Sequence, residues 1–286
     1  MTALAEIHIT IVGLGLMGGS LAGALRGQCR TLTGVDIDAA TIAAAERHGF
    51  VDHATTDLAA GIREADLVIL ATPVRTILHL LGEIGPLLKP GAILMDLGST
   101  KAQITAKMAA LPAHVVPLGG HPMCGKEHAG IAAADPALYR GATFILTPLA
   151  RTTDAALDLR RALVSAVGAH PLLLTPDRQD ALTAAVSHLP YLLASALVAA
   201  ADTVTASDPV AWEIAAGGFR DTSRVAGSDV TMMLDILLTN RDHVLAALTT
   251  AIDQLQHLAA LIDAGDEPAL RARLEGIQAR RKEIIS

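Results

Sequence analysis

Short apolar runs and amphipathic segments alternate through the first 174 residues of the chain. Short runs rich in β-branched residues are typical of buried strands, and the segments between them have helical spacing. Strands are predicted at residues 9–12, 31–35, 67–71, 92–96, 115–118, 143–147 and 171–174, and helices at 39–48, 76–88, 101–110 and 154–167. This alternation predicts an α/β fold, a Rossmann-type doubly wound parallel sheet whose ligands bind at the carboxyl ends of the strands.

The pattern changes near residue 175, where long Ala- and Leu-rich helical periodicity replaces the strand-like runs. Helices are predicted at residues 180–203, 209–216, 229–238, 241–264 and 268–282. We therefore expect two domains, a Rossmann-type domain over 1–174 and an all-α domain over 175–286. The helical half has several apolar faces and little else to cover them, so we expect a homodimer formed through this domain.

Composition narrows the possible classes of function. The chain has 286 residues and a net charge of −7, which argues against nucleic acid as a ligand because phosphate backbones need a basic face. The apolar run at 189–201 is shorter than the roughly 20 residues that span a bilayer. No secretory signal pattern opens the chain, and its two cysteines, Cys29 and Cys124, lie far apart. We expect a cytoplasmic protein with no membrane partner.

A glycine pattern, Gly13-x-Gly15-x-x-Gly18, follows the first apolar run. Gly13 suits a tight turn, Gly15 lets a pyrophosphate approach the backbone, and Gly18 lets the next helix lie close to the strand. Leu16 and Met17 begin that helix, whose N-terminus faces the phosphates. A purely structural turn is the alternative, but the strand before the glycines and the helix after them favour a dinucleotide-binding site.

Asp36 ends the second predicted strand, where a carboxylate accepts hydrogen bonds from the adenosine ribose and repels a 2′-phosphate. The first basic residue after it is Arg47, so NAD is favoured over NADP. Thr72 and Pro73 follow the strand at 67–71, and the proline holds the preceding residue extended, which suits a loop beneath the cofactor. An ordinary strand-to-helix connection is the alternative for this segment.

Two polar stretches contain histidines. His121 lies in a glycine-flanked loop after a predicted strand, and an imidazole can take a proton from a substrate hydroxyl as hydride leaves. A surface or capping histidine is the alternative, and a metal site with Cys124 and His128 lacks an evident fourth ligand. His188 precedes Pro190 in an apolar helix, and a kink at the proline indicates a functional site there. The alternative is a core histidine whose hydrogen bonds are satisfied within the protein.

Hydroxyl and guanidinium groups mark two further stretches. Ser99 and Thr100 follow the strand at 92–96, where a hydroxyl either caps the next helix or touches substrate or nicotinamide. Arg224 ends the segment 217–224, which is predicted as a loop between two helices. Because the arginine fork binds carboxylates bidentately, this loop indicates an acidic substrate, with a solvated connection as the alternative.

Six of these stretches, in this order along nearly the whole chain, resemble the prephenate and arogenate dehydrogenase family of tyrosine biosynthesis. They are GLGLMGGS at 13–20, ATP at 71–73, DLGSTK at 96–101, GHPMCG at 120–125, SHLP at 187–190 and GGFRDTSR at 217–224. The first two occur in many dehydrogenases. The histidine-proline, SHLP and GGFRD stretches are more specific to this family.

The resemblance implies an oxidative decarboxylation, in which a cyclohexadienol loses hydride from C4 to NAD and its ring carboxylate leaves as carbon dioxide. His121 would then accept the proton of the C4 hydroxyl, and Ser99 would hold the alignment beside the cofactor. Arg224 would bind a substrate carboxylate, and His188 would line a cleft between the domains. Prephenate is the expected substrate, and arogenate is the alternative because some prephenate-using members carry a histidine where this chain has Tyr191.

Two other interpretations are weaker. The β-hydroxyacid and imine-type reductases share the nucleotide turn and a helical second half, but they usually rely on a lysine there, and residues 175–279 contain none. A noncatalytic NAD-sensing module has no need of a proton acceptor beside the nicotinamide. We therefore predict an NAD-dependent dehydrogenase that acts on a small substrate.

Overall fold

One sheet forms the centre of the first half of the chain. The computed structural model describes residues 4–126, 128–206 and 208–285. The strands are β1 (His8–Val12), β2 (Thr31–Val35), β3 (His53–Thr55), β4 (Leu67–Leu70), β5 (Ile93–Asp96), β6 (Val116–Pro122), β7 (Thr143–Pro148) and β8 (His170–Leu173). Their spatial order is β3-β2-β1-β4-β5-β6-β7-β8, and neighbours are parallel except β6 and β7.

Helices cover both faces of this sheet. They are α1 (Leu16–Leu25), α2 (Ala39–Arg47), α3 (Leu58–Ile62), α4 (Val74–Leu80), α5 (Ala102–Ala109) and α6 (Asp154–Ala166). Residues of α1, α2 and α6 share one apolar cluster with Ile11, whereas those of α3, α4 and α5 share a second with Val12. Successive residues of β1 enter opposite clusters because side chains alternate across a strand. The predicted α/β architecture is confirmed, and the central strand β4 is apolar throughout because both of its faces are buried.

From residue 175 onward, the described residues form helices and turns. The helices are α7 (Pro176–Thr183), α8 (Leu189–Thr205), α9 (Val210–Glu213), α10 (Gly217–Ser223), α11 (Val230–Thr239), α12 (Arg241–Asp263) and α13 (Glu267–Ile285). A π-helical turn, Ala184–His188, joins α7 to α8, and a 3-10 turn, Arg224–Gly227, follows α10. The predicted helical second half is confirmed, but 217–224 is mainly helix rather than loop.

Two elements of the first half, β3 and α3, were not predicted from the sequence. β3 has three residues at the edge of the sheet, and α3 has five, so neither is long enough to show a period. The helix predicted at 76–88 is also shorter than expected. α4 ends at Leu80 and a 3-10 turn, Gly85–Leu87, follows, with Pro86 at its start.

The prediction of a wholly parallel sheet is wrong at β7. Pro122 of β6 pairs with Phe144 of β7, so the chain re-enters the sheet at the edge where β6 leaves it. The connection between them lies along α1, where the amide of Asp135 donates to Ser20 Oγ at 2.8 Å and Tyr139 Oη donates to the carbonyl of Met17 at 2.8 Å. No crossover helix is needed for an antiparallel return, which explains the reversed direction.

The expectation that no helix could span a bilayer needs correction. α7, the π turn and α8 form one unbroken segment, Pro176–Thr205, and this segment and α12 are each long and apolar enough to cross a membrane by length and composition. Pro190 does not end the segment because it follows the π-helical turn. There the amide of Leu189 bonds the carbonyl of Ala184, five residues back, so the regular hydrogen-bond pattern is already shifted where the proline lacks its N–H. Gln179, Asp180 and His188 are buried against protein within this segment, which a lipid environment would not satisfy.

Arg160 is the largest fully buried side chain in the structure. Its Nη1 donates to the carbonyl of Ala156 at 3.1 Å, but Nε and Nη2 have no hydrogen-bond partner among the described residues. Burial lowers the pKa of this guanidinium to about 9, so it still carries its charge at neutral pH. An uncompensated buried cation opposes folding.

We expect Arg160→Met to raise the free energy of unfolding by about 1–4 kcal/mol, because an apolar side chain of similar length removes the buried charge. Urea denaturation followed by circular dichroism measures the change. Arg161→Met is the matched control, since Arg161 lies next to it on α6 with a half-exposed side chain and an ion pair to Asp158. A surface change of this kind stays within about 0.5 kcal/mol. Equal or lower stability of Arg160→Met would contradict the interpretation.

Candidate active site

The glycine turn between β1 and α1 has the geometry that a bound dinucleotide requires. Gly13 has φ +92°, in the left-handed region that favours glycine. A methyl group at Gly18 would lie 1.8 Å from the carbonyl oxygen of Gly13, so only glycine allows α1 to approach the turn. At Gly15, by contrast, an added methyl group would meet no atom within 4 Å. The space beside Gly15 is open, as expected where phosphates approach the backbone.

The N-terminus of α1 is available to an anion. Gly15 is its N-cap residue and no side chain caps it, so the first amides of the helix, from Leu16 onward, are free of a side-chain acceptor. Asp36 stands at the tip of β2, and its Oδ2 accepts from the amide of Leu14 at 2.8 Å. The turn therefore fixes this carboxylate beside the open space, where it suits ribose hydroxyls. These residues fit a dinucleotide.

Thr72 and Pro73 lie between β4 and α4, on the same side as the glycine turn. A methyl group added to Gly13 would come within 2.7 Å of Thr72 Cγ2, so the two turns are in contact. Thr72 Oγ1 is buried without a hydrogen-bond partner among the described residues, and Pro73 is the N-cap residue of α4. This segment therefore borders the glycine turn, and its place beneath the cofactor stays a prediction.

A buried ion pair lies at the carboxyl ends of β5 and β6. Lys101 Nζ pairs with Asp96 Oδ2, and both side chains are fully buried. The same carboxylate accepts from the amide of Gly98 at 2.8 Å and from that of Gly120 at 3.2 Å. Burial raises the pKa of Asp96 and lowers that of Lys101, and their mutual attraction opposes both shifts. Asp96 thereby fixes the loop after β5 and the backbone next to His121.

Asp180 of α7 connects the helical half to this ion pair. Its Oδ1 accepts from the amide of Lys101 at 2.7 Å and its Oδ2 from that of Ala102 at 2.8 Å, at the N-terminus of α5. A carboxylate at this position is favoured by the helix dipole and satisfies two amides that α5 leaves without partners. A cap from Ser99 or Thr100, one of the two roles that the sequence left open for these hydroxyls, is therefore wrong, since Asp180 supplies the cap from another part of the chain.

The hydroxyls of this loop have other roles. Thr100 Oγ1 hydrogen-bonds Thr239 Oγ1 at 2.8 Å, which adds a second contact between the loop and the helical half. Ser99 is half-buried, and its carbonyl accepts from Gln179 Nε2 at 3.1 Å. Ser99 therefore lies at the contact between the two halves, next to Lys101.

His121 lies within a strand, not in the loop that the sequence predicted. It is in β6, paired with Ile145 of β7, and only 8% of its surface is exposed. Burial lowers the pKa of His121 to about 3, and the charge of Lys101 and the nearby His188 act in the same direction. The imidazole is therefore neutral at neutral pH and can accept a proton. The strand holds it more rigidly than a loop would.

His188 is the last residue of the π-helical turn and is 1% exposed. Its Nδ1 lies 3.3 Å from Asn240 Nδ2, and Asn240 also donates to the carbonyl of Asp180 at 2.7 Å. Burial lowers the pKa of His188 to about 4, so this imidazole is neutral as well. π-helical turns occur often at functional sites because they change the direction of side chains. The structure thus brings His188 and His121 together.

Arg224 is exposed at the start of the 3-10 turn that packs against α8, the helix that follows His188. Its role as a carboxylate ligand stays a prediction. His128 and Cys124 do not belong to a metal site in the described part of the chain, where no group of three His, Cys, Asp or Glu side chains is arranged to hold an ion.

Five residues of this site carried no assigned role in the sequence analysis. Asp96 and Lys101 are the first and last residues of the polar stretch at 96–101, but their spacing alone does not show that they form a buried ion pair. Asp180, Asn240 and Gln179 come from helices distant in sequence, so only the tertiary contact reveals them. A carboxylate and two amides inside apolar helices were the available signal, because such groups are buried only when they have partners.

Comparison with known proteins agrees with this geometry. The family model for the prephenate dehydrogenase nucleotide-binding domain matches residues 21–173, and that for the prephenate dehydrogenase dimerization domain matches residues 175–276. Prephenate dehydrogenase of Bacillus subtilis (strain 168) is 33% identical over 262 residues, which is 90% of this chain and 71% of the relative.

Two solved structures are similar over almost the whole chain. Prephenate dehydrogenase from A. aeolicus, in complex with hydroxyphenyl propionate and NAD+, has a TM-score of 0.90 at 32% identity and covers 99% of this chain and 100% of its own. Synechocystis arogenate dehydrogenase has a TM-score of 0.85 at 33% identity, and the match covers 98% of this chain and 100% of that structure. The chain therefore belongs to the prephenate dehydrogenase family of oxidoreductases.

Proposed function

We propose that this protein catalyses the NAD-dependent oxidative decarboxylation of prephenate to 4-hydroxyphenylpyruvate. The observation that carries the proposal is a neutral, buried imidazole, His121, held on a strand at the contact between a dinucleotide-binding domain and a helical domain. The reaction needs a proton acceptor at that place, and family membership supports the same chemistry. NAD when bound supplies the acceptor for the hydride that leaves C4.

The residues of the chain bind the substrate, orient it and move its proton. His121 takes the proton of the C4 hydroxyl, which lets the oxygen form a carbonyl as the C4–H bond breaks. Loss of the ring carboxylate as carbon dioxide then sends its electron pair into the ring, which becomes aromatic, and the resulting phenolate oxygen takes the proton back from His121. Ser99 aligns the hydroxyl, and Arg224 binds a substrate carboxylate.

NAD rather than NADP is the proposed cofactor. The carboxylate of Asp36 is fixed by the amide of Leu14 and by that of Asp38 at 3.0 Å, so it cannot easily turn away from a 2′-phosphate. Electrostatic repulsion therefore disfavours NADP.

Arogenate is the second candidate substrate. Tyr191 stands one helical turn after His188 and is half-buried, so a phenol lies where some prephenate-using relatives have an imidazole. The similar Synechocystis structure is an arogenate dehydrogenase. Purified protein mixed with NAD and either prephenate or arogenate, followed by NADH absorbance, distinguishes the two. Absence of NADH with both substrates would reject the proposed function.

A homodimer through the helical domain is also proposed. One face of α12 carries exposed apolar side chains at helical spacing, namely Leu245, Ile252, Leu255 and Ile262. Apolar stripes of this kind are normally covered. The match of residues 175–276 to a dimerization domain supports a second copy of the chain as the cover.

Gly15→Ala should weaken NAD binding by at least about tenfold, or about 1.4 kcal/mol, because its methyl group occupies the space beside the helix N-terminus. Titration calorimetry with NAD measures the affinity. The fold should be retained, since the added group meets no atom within 4 Å. Gly276→Ala, in equally open space on α13, is the control and should leave the affinity unchanged. Wild-type affinity in Gly15→Ala would argue against phosphates at this turn.

His121→Asn should lower kcat by about two to four orders of magnitude and leave KM largely unchanged, because it removes the proton acceptor and little of the binding surface. Steady-state NADH formation measures both constants. His114→Asn serves as the control, because His114 precedes the opposite end of the same strand and hydrogen-bonds the carbonyl of Leu88. If His121→Asn kept wild-type kcat, His121 would have no part in the proton transfer.

Leu255→Glu should convert the protein from dimer to monomer, because it places a charge in the centre of the apolar face of α12. Sedimentation velocity measures the mass. Thr250→Glu, on another face of the same helix, should remain dimeric. A wild-type protein that sediments as a monomer would reject the proposed dimer.

A further inference from the structure

Two buried polar atoms of the site, one on each side of the contact between the halves, lack hydrogen-bond partners among the described residues. They are Nδ1 of His121 on β6 and Oε1 of Gln179 on α7. Gln179 is fully buried and His121 nearly so, so water does not readily satisfy either atom. Such atoms cost free energy unless they pair, and an imidazole N–H and an amide oxygen are complementary.

The orientation of the Gln179 amide is fixed by its nitrogen. Nε2 donates to the carbonyl of Ser99 at 3.1 Å and to Asp180 Oδ1 at 3.0 Å. Both partners, the carbonyl oxygen of Ser99 and the carboxylate of Asp180 that caps α5, can only accept hydrogen bonds. If the amide were reversed, its oxygen would face two acceptors, so the orientation with Oε1 on the other side is the stable one.

The surroundings of His121 indicate what Oε1 faces. Lys101 and His188 both lower the pKa of the imidazole, whereas the side chain of Gln179 is close enough to raise it. An acceptor has this effect because it stabilises a ring nitrogen that carries a proton. Asp96 neutralises much of the charge of Lys101, and Asp180 is occupied by the amides of α5. Among the side chains that shift the pKa of the His121 imidazole, Gln179 is the one whose effect is that of an acceptor.

We propose that Gln179 accepts a hydrogen bond from the Nδ1–H of His121 and thereby fixes the ring in the tautomer whose Nε2 carries the free electron pair. This inference rests on the proposed function, in which Nε2 takes the substrate proton. Gln179 is a positioning residue, since it acts through His121. Because Gln179 belongs to the helical half, the proton acceptor is complete only when that half is docked on the sheet.

Gln179→Met tests the kinetic consequence, because it keeps the length of the side chain and removes the acceptor. We expect kcat to fall about 10- to 100-fold, as for other residues that orient a ligand or base, with KM little changed. Gln103→Met is the matched control. Gln103 also joins the two halves, through Nε2 and the carbonyl of Thr239 at 3.2 Å, but it is exposed and does not face His121. It should keep wild-type kcat.

The tautomer itself is measured by two-bond ¹H–¹⁵N correlation spectra of protein labelled at histidine, with the His121 signals assigned by their loss in His121→Asn. Wild-type protein and Gln103→Met should show His121 protonated at Nδ1. Gln179→Met should show Nε2 protonated, or a mixture of the two forms. A wild-type spectrum with the proton on Nε2 would overturn the inference, and so would an unchanged tautomer and kcat in Gln179→Met.

The spectra are recorded without substrate, so they are independent of the reaction assigned to the protein. If the wild type shows Nδ1–H but oxidises neither prephenate nor arogenate, the proposed function fails while the hydrogen bond stands. If Gln179→Met does not fold, the wild-type spectrum alone decides whether Nδ1 carries the proton.

Discussion

The contact between Asp180 and the N-terminus of α5 is the interaction on which the site depends. One carboxylate satisfies the amides of Lys101 and Ala102, and the same loop holds the buried Lys101–Asp96 pair. Asp96 in turn holds the backbone before His121 through Gly120. A chain of charge-assisted hydrogen bonds therefore runs from the helical half to the backbone beside His121, the proposed proton acceptor. Because all of these bonds except that of Ala102 are fully buried, losing one leaves a polar group without a partner and costs more than the bond contributes.

This network also sets the protonation of the two histidines. Both lie in a region with little water, so burial favours their neutral forms, and the neighbouring Lys101 adds to the effect at His121. A negatively charged substrate would act in the opposite sense, because a nearby carboxylate favours the protonated imidazole. In the proposed mechanism the substrate thus raises the basicity of the imidazole that receives its proton. An exposed histidine would show a much smaller effect, because water screens the substrate charge.

Much of the fold follows from local pattern, and much of the site does not. The strands and helices with clear period were predictable, and so was the glycine turn, because Gly13, Gly15 and Gly18 are close in sequence and each has a backbone requirement. The short β3 and the antiparallel β7 were missed, since three residues show no period and strand direction depends on where the chain returns. His121 was found as a residue, but its place within β6 depends on pairing with β7, which local pattern does not specify.

The polar contacts between the halves were out of reach for a different reason. A cap is normally sought within a few residues of its helix, and Ser99 and Thr100 met that rule, yet Asp180 lies almost eighty positions away and makes the contact. A local cap would stabilise α5 alone. A cap supplied by α7 makes the stability of α5 depend on docking of the helical half, so the same free energy that completes the helix also aligns the two domains around His121. In the proposed mechanism the cofactor and substrate groups come from different domains, and that dependence keeps the site from forming in one half alone.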